Sequence, residues 1–516
     1  MPSLISGYSI KAYAASSPLL QALIGTSTIT DHVLVIVQLT GGNDGLNMVI
    51  PLDDYSNYTA ARSNIAIPEN QVLKLNGYDK TGLHPKMTGM QTLFNEGKLS
   101  IVQAVSYPSP SFSHFRATDI WMSASDSNVE INSGWAGRYL AQEYPGAPNG
   151  YPNSNMPDPL AIQIGSITSL TLQGSEVNMG MSISDPTSFY NFLGGVEDPV
   201  PDTPWGKELK YVRQVTKQTQ QYADVIKNAA NRVTVQGTYP ASNDLASQLK
   251  IVARLIKGGL KTRVYMVSTG GFDTHSAQVS STDRTTGTHA NLMQRISDAI
   301  KAFMDDLKGL AVEDRVVGMT FSEFGRTIKS NFNMGTDHGA GSPLFVFGKS
   351  VKSGVLGNNP AIASNGVING NVPMQYDFRS VYASILSDWF CVNSIDLQMV
   401  MLKNFQQLPL VSNASCSALT ITGIQDLNRT AGDQLIINYP NPFVNSTRIT
   451  FKTKGGHTLV QIMDTLGRVI RVLTDKEYTP GIYNLDFDSY TLPSGTYYAR
   501  LQNGPVQQVR PMLKVR

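Results

Sequence analysis

Only seven histidines occur in this chain of 516 residues, and His114, His275, His289 and His338 fall where a strand should end or a helix begin. Asp44, Asp273, Glu323 and Asp337 fall at the same kind of place. Imidazoles and carboxylates together are the donor set of zinc and of the harder divalent ions. Asp273 and His275 stand two apart after Gly270-Gly271, so in an extended or turn conformation both side chains point one way. Asp337 and His338 stand among the glycines of Gly335–Gly341, a poor setting for core packing and a good one for a site. In Ser322-Glu323-Phe324-Gly325-Arg326 the carboxylate can hold a metal and the guanidinium an anion, or the two can pair with each other. Asp44 follows the turn Thr40-Gly41-Gly42-Asn43, where it reads either as a ligand for a metal or as an ordinary turn carboxylate. His289, at a helix start, reads as a further ligand or as a local hydrogen-bonding group.

A possible nucleophile lies in Ser106-Tyr-Pro-Ser-Pro-Ser-Phe-Ser-His-Phe-Arg116. The prolines delay helix until after Ser111, which makes Ser113 the N-cap and puts His114 and Arg116 in the first turn. A helix N-terminus offers free N–H groups to a phosphate or sulfate. A serine there attacks if a metal or base activates it, and otherwise simply caps.

These residues need a frame that brings strand ends together. Val33–Leu39 is an apolar, β-branched run suited to a strand buried on both faces of a parallel sheet. Ser100–Val105, Thr262–Ser268, Arg315–Phe321 and Pro343–Gly348 repeat the pattern. Amphipathic helices are expected over Leu83–Phe94, with Pro85 at its start, over Trp205–Asn231, Ala241–Gly258 and His289–Leu307, and around Tyr376–Phe390 with Asp377 as cap. The alternation predicts an α/β fold, a three-layer sandwich around a largely parallel sheet, whose strand carboxyl ends are where ligands bind. Residues 145–205, rich in Pro, Gly, Ser and Asn, read as an excursion over that face.

The chain is too long for one core. Four segments are expected: an arm or export-signal remnant over 1–30, the α/β domain over 31–410, a linker over 411–431, and a small β-sandwich over 432–516. Ala12-Tyr13-Ala14 has the form of a signal cleavage site. With 41 basic and 39 acidic residues the net charge is +2, which gives no electrostatic case for nucleic acid. No apolar run reaches the about 18 residues of a membrane span. Two cysteines, Cys391 and Cys416, exclude a thiolate cluster and can form one disulfide in an exported chain.

The wording of these motifs carries a resemblance. Gly41-Gly-Asn-Asp-Gly-Leu-Asn47, Ser113-His-Phe-Arg-Ala-Thr-Asp-Ile-Trp121, Gly271-Phe-Asp-Thr-His275, Ser322-Glu-Phe-Gly-Arg-Thr327 and Asp337-His-Gly339 resemble the family of unknown function DUF1501. That family is related to the alkaline phosphatase and sulfatase superfamily. The resemblance implies two metals at the sheet's carboxyl end, with Asp44, Asp273, His275 and His338 as ligands and Ser113 as nucleophile. Glu323 stands where the superfamily has an Asp-His pair, and Phe324 follows it, so one histidine is missing. That leaves single-metal occupancy open, as is the choice between Ser111 and Ser113.

Strands at regular spacing from Leu435 onward carry Tyr439-Pro-Asn-Pro-Phe443, Asp464-Thr-Leu-Gly-Arg-Val469 and Leu492-Pro-Ser-Gly-Thr-Tyr-Tyr498. They resemble the C-terminal sorting domain of the type IX secretion system, which implies the secretion machinery as partner and a secreted or cell-surface destination. The expectation is an exported hydrolase of phosphate or sulfate esters on a small molecule or glycan. Its catalytic residues would be Ser113, His114 and Arg326. Its metal ligands would come from Asp44, Asp273, His275, Glu323, Asp337 and His338. One or two ions of zinc, calcium, magnesium or manganese are expected. The alternative is a non-catalytic surface protein that keeps the fold.

Overall fold

The computed structural model describes residues 30–186, 220–362, 370–412, 435–439 and 443–515, except positions 149, 176, 454, 465, 466 and 505, together with 4–5, 8–9, 203, 206 and 416. The signal-like Ala12–Ala14, the first half of the helix expected from Trp205 and most of the linker lie outside these residues. The chain divides into two compact units. One comprises 31–390 and 405–412, and the other comprises 1–30, 391–404 and 413–516.

The first unit is built on a nine-stranded mixed sheet. Its strands are β1 (Val33–Thr40), β2 (Leu99–Ser106), β3 (Ala161–Ile164), β4 (Gly180–Ile183), β5 (Val264–Gly270), β6 (Val316–Phe321), β7 (Ser342–Gly348), β8 (Gly354–Leu356) and β9 (Tyr376–Asp377). The spatial order is β8-β2-β7-β6-β1-β5-β3-β4, with β9 also on β2. All pairs are parallel except those of β7, which runs antiparallel to both β6 and β2. The largely parallel sheet expected from the apolar runs is therefore present, with one reversed strand. Two of its strands, β3 and β4, come from the stretch expected to be only an excursion.

Strand β1 sits at the centre, and its first seven residues are buried on both faces. Val33, Val35, Val37 and Leu39 pack into one helical layer made of α1 (Thr88–Asn95), α4 (Asp244–Lys257) and α5 (Thr288–Gly309). On the other face Phe321 of β6 stacks on Trp121, which stacks on Phe378. These two rings belong to α2 (His114–Ser123) and α6 (Phe378–Asp388), and α3 (Trp135–Glu143) adds Trp135 against Tyr382. The period of two along each strand divides its side chains between the layers. Helix α1 starts at Thr88, not at Pro85, because His84 and Pro85 are held in a turn in which Met87 N–H bonds His84 C=O. Asp377 caps α6 as expected, its side chain accepting from Arg379 N–H.

In the second unit, strands β10 (Leu435–Tyr439), β11 (Ser446–Thr453) and β14 (Gly481–Asp488) form one antiparallel sheet. Strands β12 (Gly456–Met463), β13 (Val469–Tyr478), β15 (Gly495–Asn503) and β16 (Val506–Lys514) form another, in the order β13-β12-β15-β16. Phe443, Ile449, Phe451, Val460, Ile462, Phe487 and Leu501 fill the space between them, the core of a β-sandwich. Cys391 and Cys416 form a disulfide.

Candidate metal centre

Strands β1, β2, β5 and β6 end at the same edge of the sheet, and β7, being reversed, begins there. Five sequence motifs far apart in the chain therefore meet. Asp273 Oδ1 is the hub. Nε2 of His275, His338 and His114 lie 3.2, 3.3 and 3.7 Å from it. His275 Nε2 and His338 Nε2 are themselves 2.9 Å apart. His114, Asp273 and His338 form a group able to hold a metal ion.

The other nitrogen of each ring is engaged. His114 Nδ1 meets Glu323 Oε1 at 2.8 Å, His275 Nδ1 meets Asp337 Oδ1 at 3.2 Å, and His338 Nδ1 meets the Phe112 carbonyl at 2.8 Å. Carboxylates and carbonyls only accept, so each Nδ1 donates a proton there and each Nε2 is turned inward, a lone pair wherever that nitrogen carries no proton. Two such nitrogens 2.9 Å apart, beside a carboxylate, are held together by a shared proton or a shared cation. Ligating histidines are commonly oriented in this way by an acceptor on the far nitrogen.

Several expected residues take other places. Glu323, expected as a ligand, is fully buried behind His114, where Oε1 also accepts Gly41 N–H at 2.8 Å. Asp337 likewise stands behind His275, and Asn331 Nδ2 donates to it at 3.2 Å. That hydrogen bond, with the His275 proton and charge, holds the Asp337 carboxyl below the usual range. His114, expected to act directly in catalysis, instead turns Nε2 toward Asp273 as a ligand would. Asp44 is bound to other partners. Arg62 Nη1 reaches its two oxygens at 2.8 and 2.6 Å, and Gln278 Nε2 donates to Oδ2 at 2.5 Å. Both charged side chains are wholly buried, so Asp44 has a cation already. Buried His289 contacts Asn43 Oδ1 at 3.3 Å, and desolvation pushes its pKa down to about 4, so it is a neutral core histidine.

Arg326, expected to receive an anion, is buried and turned to protein acceptors. Its Nε donates to Gly42 C=O at 2.6 Å and its Nη1 to Thr336 C=O at 2.9 Å. Nη2 donates to Gly41 C=O, to Phe272 C=O at 3.1 Å and to Asp273 Oδ1 at 2.7 Å. It clamps the β1 turn to the β5 turn and aims Asp273. Partial burial pushes the Asp273 carboxyl up, but Arg326, His338 and His275 outweigh it and hold the group below the usual carboxylate range.

Ser113 is the N-cap of α2 and exposed, and its hydroxyl makes no capping bond. Its neighbours on both sides touch the cluster, Phe112 through its carbonyl and His114 through its ring. The α2 N-terminus thus opens beside the three imidazoles. Phe324 lies under them, its ring 4.8 Å from His114 and 4.5 Å from His338. Being buried, it gives the cluster an apolar floor.

Sequence reasoning missed Arg62, Gln278 and Phe324. Gln278 Oε1 accepts from Thr274 at 3.0 Å and Thr336 at 3.1 Å while its amide holds Asp44, so one buried side chain joins three loops. A lone Gln or Arg between motifs carries no local signal of such a role. The Phe324 signal was present, because Gly42, at the end of the neighbouring strand, must leave room for it. A Cβ on Gly42, at φ +75°, would stand 2.2 Å from the Phe324 ring. At Gly41, φ +127°, a Cβ would stand 2.4 Å from Asp273 N. Gly41→Ala is therefore expected to shift the Asp273 backbone and to lower stability by about 1–3 kcal/mol, read as a fall in thermal midpoint. An unchanged midpoint would mean that the two turns are not in contact.

Residues 206–386 match the family described as a protein of unknown function, DUF1501, a span that contains Asp273, His275, Glu323, Arg326, Asp337 and His338. Residues 438–514 match the secretion system C-terminal sorting domain. Both resemblances read from the motifs are thus found. The sorting domain directs the chain to the cell surface, and no helix among the described residues is long and apolar enough to cross a membrane. No curated protein matches. Among solved structures the chain is similar to a protein of the alkaline phosphatase superfamily from Vibrio parahaemolyticus, at 10% identity and TM-score 0.35, over 96% of this chain and 90% of that one. It is similar to the PsFucS1 sulfatase from Pseudoalteromonas sp., at 10% identity and TM-score 0.34, over 91% and 88%. A third likeness is to PorZ of Porphyromonas gingivalis, at 17% identity and TM-score 0.12, and covers 20% of this chain and 13% of PorZ's length.

Proposed function

We propose that the protein is a secreted, metal-dependent hydrolase of phosphate or sulfate esters. The observation that carries this reading is the convergence of three imidazole Nε2 atoms on Asp273 Oδ1, each ring oriented by an acceptor on its far nitrogen. The contacts of 2.9–3.7 Å are of the size that separates ligands around a single small ion bound at about 2.0–2.2 Å. Three imidazoles and one carboxylate suit zinc or another first-row metal better than calcium or magnesium, which prefer oxygen.

His114, His275, His338 and Asp273 would hold the ion, with Glu323 and Asp337 behind two of the rings. When bound, it would supply positive charge to polarise the ester. Ser113 would attack the phosphorus or sulfur and release the alcohol, and water would then free the serine. The first-turn N–H groups of α2 would face the anion's oxygens. Arg326 positions Asp273, its guanidinium turned to backbone carbonyls and that carboxylate.

The second reading, a non-catalytic surface protein, draws on that same guanidinium, since Arg326 already gives Asp273 a cationic partner at 2.7 Å. Elemental analysis of the purified chain and of His338→Ala separates the two. The hydrolase reading expects one equivalent of metal in the first protein and at least about a tenfold loss of affinity in the second. No metal after chelator-free purification would sink it.

A further inference from the structure

Phe332 and Phe115 are 98% and 88% exposed, the two most solvent-exposed large apolar side chains among the described residues. Both belong to the segments that build the candidate centre. Phe115 follows His114 in the first turn of α2, two residues from the exposed Ser113. Phe332 lies between Asn331, which holds Asp337 and the His275 carbonyl, and Asn333, whose carbonyl accepts Ala277 N–H. Phe112, 40% exposed, adds a third ring on the residue whose carbonyl orients His338. Single exposed apolar side chains occur elsewhere, Ile167 and Val235 among them, but these rings gather on the segments that build the centre.

We propose that these phenyl rings are stacking platforms for the sugar rings of a glycan that carries the ester, so that the substrate is an extracellular polysaccharide. The inference rests on the hydrolase reading of the centre and names its substrate class. Rings this exposed stand free and offer flat faces, whereas an acyl chain needs walls on several sides. The C–H faces of a pyranose match such platforms. Polar side chains stand next to the rings, Ser113 after Phe112 and Asn333 after Phe332, as a ligand with apolar faces and hydroxyl edges requires. The sorting domain directs the chain to the cell surface, where polymers of that kind are met.

The test is affinity electrophoresis of the full chain in gels holding dextran sulfate, chondroitin sulfate, carrageenan or a phosphorylated mannan, with anionic phospholipid vesicles as the contrasting ligand. Metal content is measured in parallel. The expected result is retardation by at least one of the polysaccharides, weakened roughly tenfold by Phe115→Ala and again by Phe332→Ala, the order of effect a lost stacking ring has on polymer binding. Metal content should be unchanged in both variants. Retardation by none of the polymers, retardation indifferent to both substitutions, or binding to vesicles in place of the polymers would overturn the proposal. Loss of the hydrolase reading would show separately, as absence of metal in the unsubstituted chain.

Discussion

Ser113→Ala is expected to remove ester hydrolysis, by about 10³-fold or more in turnover, while leaving metal content and thermal midpoint where they are. The split follows from the place of the hydroxyl. A serine that caps its helix is worth about 1 kcal/mol, and its removal would be felt in stability. Here the Ser113 side chain makes no capping bond and is exposed, so alanine removes no internal hydrogen bond of the helix start. What it removes is an oxygen flanked by Phe112 and His114, both of which touch the three-imidazole cluster. The decisive comparison is turnover on a phosphate or sulfate monoester against metal equivalents and melting temperature in the same preparation. Full activity in the variant would take Ser113 out of the reaction. Ser111, whose Oγ accepts Ser113 N–H at 3.3 Å, would be the next hydroxyl to replace.

Arg62→Ala is expected to have the largest effect on stability, a loss of roughly 3–5 kcal/mol, because it leaves Asp44 as an unpaired charge in the core. Burial alone would push the Asp44 carboxyl up. The charge of Arg62, with hydrogen bonds from Arg62 and Gln278, outweighs that and holds it below the usual carboxylate range. A carboxyl whose folded value lies below its unfolded value of about 3.9 contributes fully above that pH and is lost as pH falls through the folded value. In the variant the sign reverses. Burial then pushes Asp44 up, and stability declines as pH rises from about 4 toward the raised folded value. Urea midpoints of the two proteins should therefore draw apart between about pH 4 and 7. Parallel curves over that range would show that Asp44 and Arg62 do not depend on each other. Arg62 also donates to the Ile328 and Thr327 carbonyls at 2.7 Å each, so the same variant should loosen the loop that leads to Asp337 and His338.

Much of this protein could be read from local pattern. Apolar runs such as Val33–Leu39 predicted buried parallel strands, because a strand covered on both faces has no polar side to show. Glycine-rich breaks after them marked the turns that carry Asp44, Asp273 and His338, because only a residue without Cβ tolerates the approach of another backbone there. The family wording of the motifs, the sandwich strands from Leu435 and the sorting domain were equally legible.

The division of labour among the titratable residues was not legible. Glu323, Asp337 and Asp44 look alike in sequence, each a carboxylate beside a glycine-rich turn. Whether such a group faces an ion, stands behind a histidine or pairs with an arginine depends on which chain segment lies opposite. That opposite segment is 209 residues away for Glu323 and His114, and 62 for Asp337 and His275. For Asp44 it is Arg62, nearby in sequence but at the end of a short helix with no motif, and Gln278, which is 234 residues distant. Arg326 shows the same thing from the other side. Its type and position suggested an anion site, and only the crossing of the β1, β5 and β6 turns over it shows that carbonyls and Asp273 have taken its donors. Residue type and spacing determine which groups come to the sheet edge, and long-range packing determines which of them are left with a lone pair to offer.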